Sequence, residues 1–522
     1  MKYIIYDSKE FKFSGEGVYL RKDHWNDWFK YNTLYDACYV DKNRIKRPLG
    51  LVKIGKTNIG KENSECISPN IPNSFEELGE EFFSLGQSDE YYENIKNIGE
   101  EFRKTILTNL RDIAYDITLY EKFKSEDILH SSLMRDVTES MVKGQFNRIA
   151  HGGVRLTEFS FGYFFPNKID RYEVLNPAKL TFDVKPESNP PTNIHVVIGR
   201  NGVGKTFLIN NLLSTIRKNA CKEKTGYFFD IHTNDNFEIR VNNIFSNAIC
   251  VGFSAFDSLP TKLDDTIIPY IFIGLDNEDY YGTNLSKIEI LSKKFEESVE
   301  KVFSSKMKKD LWFESLDILK YDIYFEESRI LENAKSIEII TEKNSSNPFE
   351  KVRKNFERLS SGHKVILLTI TKIVQHIEEK SFVILDEPET HLHPPLLSAF
   401  VRALSNILIK KNAIALIATH SPIILQEIPS SCAWKMQRSK LEVALNKLNY
   451  ETFGTNINTL IREVFGLEVT KSGFHKMLDE SLEKYNFDYH KVVEEFNNEL
   501  GDEARAILKM SVEVEKRKYE KN

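Results

Sequence analysis

The sequence predicts an α/β fold in which helices flank a mixed sheet, with an α+β extension before it and a helical region after it. Three apolar runs carry this prediction, because each reads as a buried strand that ends in residues suited to phosphate or ion binding. The run 194–198 leads into a glycine-rich loop and a helix. The run 382–385 is followed by two acidic residues, and the run 413–419 is followed by a histidine.

Length and composition are those of a globular protein with several domains. The chain has 522 residues, of which 41% are hydrophobic and 28% charged, and its formal net charge is −6. Since the chain is not basic overall, any contact with DNA has to come from a local patch. The five cysteines show no C-x-x-C spacing, which argues against a disulfide framework or a zinc site. With no run long enough to span a membrane and no signal peptide at the N-terminus, the sequence predicts a cytoplasmic protein without a membrane partner.

The first region predicted is an α+β extension over residues 1–150. Runs 34–40 and 49–54 indicate a hairpin, and apolar residues recur at helical spacing from residue 95 onward. Ser74 and Glu77 predict a capping box that opens the helical part. The aromatic and basic residues before residue 60 favour a small aromatic core over a surface for a partner or nucleic acid.

The remaining chain divides into four predicted segments. Residues 151–259 hold the first part of the nucleotide domain, and 260–355 form an inserted helical or lid segment that includes a mixed-charge helix over 291–309. Residues 356–430 hold the second part of the domain. Residues 431–522 read mainly as helices, including 456–465 closed by Gly466 and 492–500 closed by Gly501.

The glycine-rich loop fits the phosphate-binding pattern G-x-x-x-x-G-K-[ST]. Its glycines let successive backbone N–H groups point inward, and the following helix adds the positive end of its dipole. Lys205 is expected to reach the β- and γ-phosphates, while the Thr206 hydroxyl is expected to hold Mg²⁺. The residues expected to contact the nucleotide are Gly199, Arg200, Asn201, Gly202, Val203, Gly204, Lys205, Thr206 and Phe207.

A second anion-binding element is predicted where Ser360, Ser361 and Gly362 precede an apolar helix over 365–377. A hydroxyl and free amides at a helix start suit an anion, although the same residues alone are an ordinary N-cap. Its position between the phosphate loop and the next acidic strand favours the functional interpretation.

The remaining two motifs predict catalytic groups at one edge of the sheet. Asp386 and Glu387 follow a central strand, at the end where open α/β sheets bind their ligands. Asp386 is expected to bind Mg²⁺, and Glu387 is expected to orient or deprotonate the attacking water. His420 follows another buried strand and is expected to donate to the γ-phosphate.

Taken together, these motifs resemble those of ABC-class ATPases in the SMC-like and RecF-like branch. Residues 199–206 correspond to Walker A, 359–363 to the signature, 382–387 to Walker B, and His420 to the switch histidine, within a match covering roughly 155–430. The resemblance implies ATP and Mg²⁺ as cofactors and slow ATP hydrolysis. It also implies a head-to-tail homodimer or larger assembly, in which the signature of one chain acts on the partner's nucleotide.

The sequence departs from the transporter type of this family in the signature and beyond Walker B. Ser361 and His363 stand where transporters prefer Gly and Gln, and the Q-loop glutamine has no secure position. The run Glu389–Pro394 resembles that of OLD-like ATPases. Within it, His391 and His393 are spaced like metal ligands, but no third ligand is evident from the sequence, so a metal site is not predicted.

The overall layout resembles the ATPase subunits of Septu and retron-linked antiphage systems. That resemblance implies antiviral defence, a separate nuclease subunit, most plausibly of the HNH type, and contact with DNA. Neither an HNH pattern nor the D-x-D element of a Toprim domain is found in the C-terminal region. The alternatives are a RecF/SMC-like DNA-repair ATPase and a nucleotide-clamped scaffold with little turnover.

Overall fold

The computed structural model describes residues 1–520 except 8–10, 12, 24–30, 58–66, 167, 170–171, 174–176, 234–236, 254–258, 275–285, 328–329, 333, 336–348, 440–441 and 467–472. The predicted fold class is confirmed, since a mixed sheet with flanking helices carries the phosphate loop. An α+β region precedes this sheet and helices follow it.

A sheet in the N-terminal region has the strand order β5-β1-β2-β3-β4-β6. The predicted hairpin is confirmed as β3 and β4, which pair antiparallel. The strands are β1 (Tyr3–Tyr6), β2 (Gly17–Lys22), β3 (Leu34–Val40), β4 (Lys46–Lys56), β5 (Ser74–Phe75) and β6 (Phe82–Gly86). The helices packed on them include α1 (Asp89–Ile98), α2 (Glu100–Asn109), α3 (Ile117–Phe123), α4 (Glu139–Met141) and α5 (Asn147–Ala150), with π-helical turns at Leu129–Leu133 and Val142–Phe146.

The predicted capping box at Ser74 is wrong. Ser74 lies in β5, where Phe75 stacks on Tyr3 with ring centroids 5.0 Å apart, and this cross-strand contact outweighs the local capping pattern. The helix begins instead at Asp89, where the Ser88 side chain accepts from Tyr91 N at 3.3 Å. Of the aromatic residues in this region, Tyr31 and Tyr35 are buried in the core, while Trp25, Trp28 and Phe29 lie outside the described residues.

The central sheet has the order β14-β13-β15-β16-β11-β17-β18, and its neighbours are parallel except for the β17–β18 hairpin. Helices cover both faces, so the inner strands are buried throughout, which their unbroken apolar runs require. The strands are β11 (Ile194–Ile198), β13 (Ala248–Gly252), β14 (Tyr270–Ile273), β15 (Phe382–Asp386), β16 (Ile414–Thr419), β17 (Ala433–Ser439) and β18 (Glu442–Lys447).

A smaller antiparallel sheet, β10-β7-β12, lies on the side of the phosphate-loop helix. Phe161 of β7 stacks on Phe182 of β10 with centroids 4.6 Å apart, which anchors it to the core beneath the loop. Its strands are β7 (Phe159–Phe164), β10 (Lys179–Val184) and β12 (Tyr227–Phe229), with a separate hairpin of β8 (Lys168–Ile169) and β9 (Tyr172–Glu173). The helices here are α6 (Lys205–Ser214), α7 (Lys222–Thr225) and α8 (Val241–Ile244).

The segment predicted as a helical insert over 260–355 contains β14, an edge strand of the central sheet, and its described helices begin only at Lys287. The long helix predicted over 291–309 is divided in two. The Ser305 side chain accepts from Lys308 N at 3.4 Å and thereby caps a second helix, whereas the sequence pattern indicates a single continuous helix. Trp312 anchors the insert by donating from Nε1 to Thr371 Oγ1 at 2.9 Å. Its helices include α9 (Lys287–Phe303), α10 (Lys306–Leu319), α11 (Ile323–Glu327) and α12 (Glu350–Arg358), and they pack on α13 (Ser361–His376).

The C-terminal segment is not wholly helical. It begins with β17 and β18, which extend the central sheet because β17 pairs with β11, a contact between distant parts of the chain. The helix closed by Gly466 is confirmed, whereas the one over 492–500 is wrong: it ends at Glu495, and Gly501 precedes the next helix. The helices are α14 (Pro394–Lys410), α15 (Pro422–Gln426), α16 (Ile457–Phe465), α17 (Phe474–Lys484), α18 (Tyr489–Glu495) and α19 (Asp502–Glu520).

Candidate active site

The phosphate loop joins β11 to α6 in a backbone conformation that depends on glycine. Gly202 and Gly204 have φ values of +79° and +105°, a region that other residues rarely adopt. A Cβ on Gly199 would lie only 2.7 Å from the carbonyl oxygen of Met436 in β17. The glycine pattern is therefore required both by the turn and by the close approach of a neighbouring strand.

Lys205 begins α6, and its ammonium lies within the loop. Nζ donates to the carbonyl oxygens of Gly199 and Arg200, both at 3.1 Å, and lies 3.2 Å from Glu387 Oε1. The side chain is only 4% exposed, so its charge is held by these partners in a site largely shielded from water. This position suits a cation that contacts the phosphates of a nucleotide.

Thr206 and Asp386 are brought together by strand order. The Thr206 hydroxyl donates to Asp386 Oδ2 at 2.7 Å, and Asp386 is only 2% exposed. A hydroxyl and a carboxylate are oxygen ligands of the kind that Mg²⁺ accepts beside a nucleotide phosphate. The two residues predicted to hold Mg²⁺ therefore lie in mutual contact and fit that ion.

Glu387 follows Asp386 in a strained backbone conformation. Its φ is +45°, and its amide is fixed by a hydrogen bond to Ala418 O at 2.9 Å. Such strain in a non-glycine residue costs free energy and is common at functional positions. The carboxylate contacts the buried Lys205 ammonium and, at 33% exposed, remains accessible to water.

His420 is positioned by a residue that the sequence motifs did not assign, Glu389. The Oε1 atom of Glu389 accepts from Thr419 Oγ1 at 2.6 Å and from His420 N at 2.7 Å. His420 Nδ1 lies 3.1 Å from the same oxygen and 3.6 Å from Glu387 Oε1. Because β15 pairs with β16, the turn after the acidic strand reaches the histidine that ends its neighbour.

The other predicted loop residues differ in their surroundings. Arg200 donates from Nη2 to Phe465 O at 2.8 Å and so ties the loop to the end of α16. Gly202 and Asn201 are exposed, Val203 is half-buried, and Phe207 is 42% exposed at the start of α6. An apolar ring and open backbone therefore surround the entrance to the loop.

The predicted signature residues lie at the start of α13. Ser360 is the N-cap and accepts from His363 N at 3.4 Å, while its Oγ lies 2.6 Å from His363 Nδ1. Ser360 and Ser361 are exposed, and Gly362 is buried. Among the described residues, the polar contacts of Ser360 continue through His363 to Asp322 and not to the phosphate loop of the same chain.

One histidine in the strand beneath the loop, His195, has its pKa changed by burial. His195 lies in β11, is 1% exposed, and packs against Phe182 with ring centroids 5.0 Å apart. Removal from water disfavours the imidazolium form and lowers the pKa of His195 to about 3. The strand that delivers the phosphate loop therefore carries a neutral imidazole at ordinary pH.

Part of the chain, beginning after the phosphate loop, matches a model of a known protein family. Residues 226–426 match the family model described as "AAA domain, putative AbiEii toxin, Type IV TA system", a range that includes Ser360, Glu387 and His420. Among the described residues, no helix is both long and apolar enough to cross a membrane.

Similar solved structures include two ATP-binding cassettes of ABC transporters. One, in its ADP conformation, is 14% identical, with coverage of 60% of this chain and 98% of that chain and a TM-score of 0.31. The other is nucleotide-free and 12% identical, with coverage of 59% and 95% and a TM-score of 0.29. These TM-scores are too low to establish the fold, which is assigned from the strand order and the loop geometry described above.

One curated relative matches over nearly its whole length. Protein ea59 of Escherichia phage lambda is 35% identical over 512 residues, which are 95% of this chain and 94% of that protein. An alignment of this extent has to span the phosphate loop, the acidic strand and the insert. The chain belongs to the same family as protein ea59 of Escherichia phage lambda.

Proposed function

We propose that the protein binds and hydrolyses ATP at the edge of the central sheet formed by β11, β15 and β16. The observation that carries this proposal is the convergence of four separate groups: the Lys205 ammonium, the Thr206–Asp386 pair, the Glu387 carboxylate and the His420 imidazole. In this proposal the ammonium is a cation that binds phosphate, and the hydroxyl and carboxylate pair provides oxygen ligands for Mg²⁺. The Glu387 carboxylate is the general base, and the imidazole is a hydrogen-bond donor. A bound Mg²⁺ supplies charge neutralisation on the phosphate oxygens.

Each residue has a separate task in this proposal. Lys205 binds the β- and γ-phosphates, and Thr206 and Asp386 hold Mg²⁺. Glu387 accepts a proton from the attacking water, for which its partial exposure provides access. His420, oriented through its backbone by Glu389, donates to the γ-phosphate.

Two copies of the chain complete each site. Ser360 and Ser361 are exposed at the start of a 16-residue helix, where free amides and the helix dipole favour an anion. The polar contacts of Ser360 lead away from the phosphate loop of its own chain. A head-to-tail dimer would use this helix start to bind the γ-phosphate held by the partner's loop.

Mixing two inactive variants tests the shared site. Lys205→Ala disables the phosphate loop, and Ser360→Arg places a bulky side chain at the signature. In a mixed head-to-tail dimer, one site has both defects, whereas the other combines an intact loop with an intact signature. We expect each variant alone to be inactive and the mixture to regain ATP hydrolysis, up to about half of the wild-type rate per mixed dimer.

The control is a chain that carries both Lys205→Ala and Ser360→Arg, mixed with either single variant. No dimer in these control mixtures pairs an intact loop with an intact signature, so no hydrolysis is expected from them. Recovery of hydrolysis in the first mixture and none in the control mixtures supports the dimer. No recovery in the first mixture, or equal recovery in the control mixtures, would contradict it.

We further propose that the ATPase controls a separate nuclease of the HNH type in antiviral defence, and that DNA contact belongs to the assembled complex. The family that matches residues 226–426 is described as a putative toxin of a toxin–antitoxin system, which supports a role connected with a toxic activity. The test is plasmid cleavage by the purified chain with Mg²⁺, with and without the products of its neighbouring genes. We expect cleavage only with a partner; robust cleavage by the chain alone would contradict this division of labour.

A further inference from the structure

Three potential metal ligands from separate elements converge behind the signature serine. Asp322 immediately precedes α11, His363 lies in the first turn of α13, and His393 immediately precedes α14. One ligand atom from each lies within 4.8 Å of those from the other two. His363 Nε2 is 2.9 Å from Asp322 Oδ1, and His393 Nε2 is 3.5 Å from Asp322 Oδ2.

The cluster combines a buried carboxylate with a route from solvent. The side chains of Asp322 and His363 are 3% and 8% exposed, whereas that of His393 is 44% exposed. Asp322 Oδ1 also accepts from Phe325 N at 3.0 Å, which fixes the carboxylate at the start of α11. An ion could therefore enter past His393 and meet ligands that are already held in place.

We propose that Asp322, His363 and His393 form a binding site for a divalent transition metal of the zinc type. Two imidazoles and one carboxylate are a ligand set used by zinc and by other first-row metals, with a fourth position left for water. Bonds of about 2.0–2.2 Å in a tetrahedral site place ligand atoms roughly 3.3–3.6 Å apart. The distance from His393 Nε2 to Asp322 Oδ2 matches this range. His363 Nε2 contacts the other carboxylate oxygen, Oδ1, and that hydrogen bond has to lengthen by about half an ångström for a metal to bind between the two groups.

A bound metal would change the partner to which the Ser360 hydroxyl donates its hydrogen bond. When the His363 proton is on Nε2, it is donated to Asp322, and Nδ1 accepts the Ser360 hydroxyl proton. A metal on Nε2 leaves the ring proton on Nδ1, which then donates to Ser360 Oγ. The Ser360 hydroxyl is thereby freed to donate elsewhere. This step rests on the proposed function, in which Ser360 binds the partner's γ-phosphate.

Cobalt binding to the chelator-treated full chain, without nucleotide, tests the site. We expect one Co²⁺ per chain, visible ligand-field bands, and displacement by Zn²⁺. His393→Ala should weaken binding by at least about 100-fold, since even the loss of an outer partner costs 10–100-fold. His393 is half exposed, so this variant should remain folded, which thermal unfolding without metal can verify.

Two controls separate this cluster from other metal-binding groups. His232→Ala removes an exposed histidine outside the cluster, and Asp386→Asn disables the proposed Mg²⁺ position. Both variants should bind Co²⁺ as the wild type does. Failure of the wild type to bind Co²⁺ or Zn²⁺, or equal binding by His393→Ala, would overturn the proposal.

ATP-dependent association tests the connection to Ser360 separately. Zn²⁺ should promote association of the wild type with ATP but not that of His393→Ala, and Ser360→Ala should retain Zn²⁺ while losing the response. Lys205→Ala should also retain Zn²⁺, so Zn²⁺ binding can be measured and interpreted even if the proposed ATP site is wrong. Zn²⁺ binding without any effect on wild-type association would overturn the connection to Ser360 and leave the metal site standing.

Discussion

The ammonium of Lys205 lies 3.2 Å from the carboxylate of Glu387, so the candidate phosphate-binding group and the candidate general base form an ion pair in the free chain. Lys205 is almost fully buried, and its other partners are backbone carbonyls of the loop. A triphosphate entering this loop competes with Glu387 for the ammonium. Nucleotide binding would therefore release Glu387 toward water at the moment when a base is required.

The first prediction concerns the charge at Lys205. Replacing Lys205 with Ala removes a charge-assisted contact worth about 1.5–3 kcal/mol, so ATP affinity should fall by roughly 10- to 100-fold. Isothermal titration with ATP and Mg²⁺ measures the change. Lys218→Ala, which removes an exposed lysine just beyond α6, should leave affinity unchanged. Equal affinity in both variants would reject the assigned phosphate loop.

The second prediction concerns the base. Glu387→Gln keeps the side-chain shape but cannot accept the proton of water, so turnover should fall by about 100-fold or more while ATP binding persists. Phosphate release in single-turnover conditions separates this loss from a loss of binding. Glu223→Gln alters an exposed acid of α7 and is the matched control. Undiminished turnover in Glu387→Gln would mean that another group activates the water.

The third prediction concerns Glu389 as the positioning residue for His420. Removing its carboxylate in Glu389→Ala deprives the His420 amide and the Thr419 hydroxyl of their acceptor, so turnover should fall about tenfold with nucleotide affinity retained. If Glu389 acts through His420, then adding Glu389→Ala to His420→Ala should cause little further loss. Fully additive losses in this double-mutant cycle would show that the two residues act independently.

The fourth prediction concerns pH and His195. Burial lowers the pKa of His195 from the ordinary value of 6.5 to about 3. Below pH 6.5, His195 is therefore protonated in the unfolded chain but stays neutral in the folded chain, which favours unfolding. Its contribution to stability is complete above that pH and is lost progressively as the pH falls. Between about pH 7.5 and pH 5 the loss should be about 2 kcal/mol.

Urea unfolding of wild type and His195→Leu at the two pH values measures this contribution. The variant replaces the buried imidazole with an apolar side chain among apolar neighbours, so its stability should decline less on acidification. The difference between the two proteins isolates His195 from the other titrating groups. An identical decline in both would show that His195 is not responsible for the pH dependence.

Local sequence patterns were sufficient to predict the strands and the loop that carry the candidate nucleotide-binding groups. The phosphate loop is specified by glycines whose positive φ values are a local property, and unbroken apolar runs specify β11, β15 and β16. The same local patterns misplaced the capping box at Ser74. There the contact between Phe75 and Tyr3 decided the outcome, and no nearby residue signals that contact.

The sequence by itself thus determined the loop and the buried strands that carry the candidate site, because backbone conformation and buried-strand periodicity are encoded over a few neighbouring residues. The roles of these residues in binding phosphate, holding Mg²⁺ and activating water remain predictions. Tertiary structure alone decided that Glu389 fixes His420, that β17 closes over Gly199, and that Asp322 meets His363 and His393. Those contacts join elements distant in the chain. They depend on how helices and strands pack, which a local pattern does not specify.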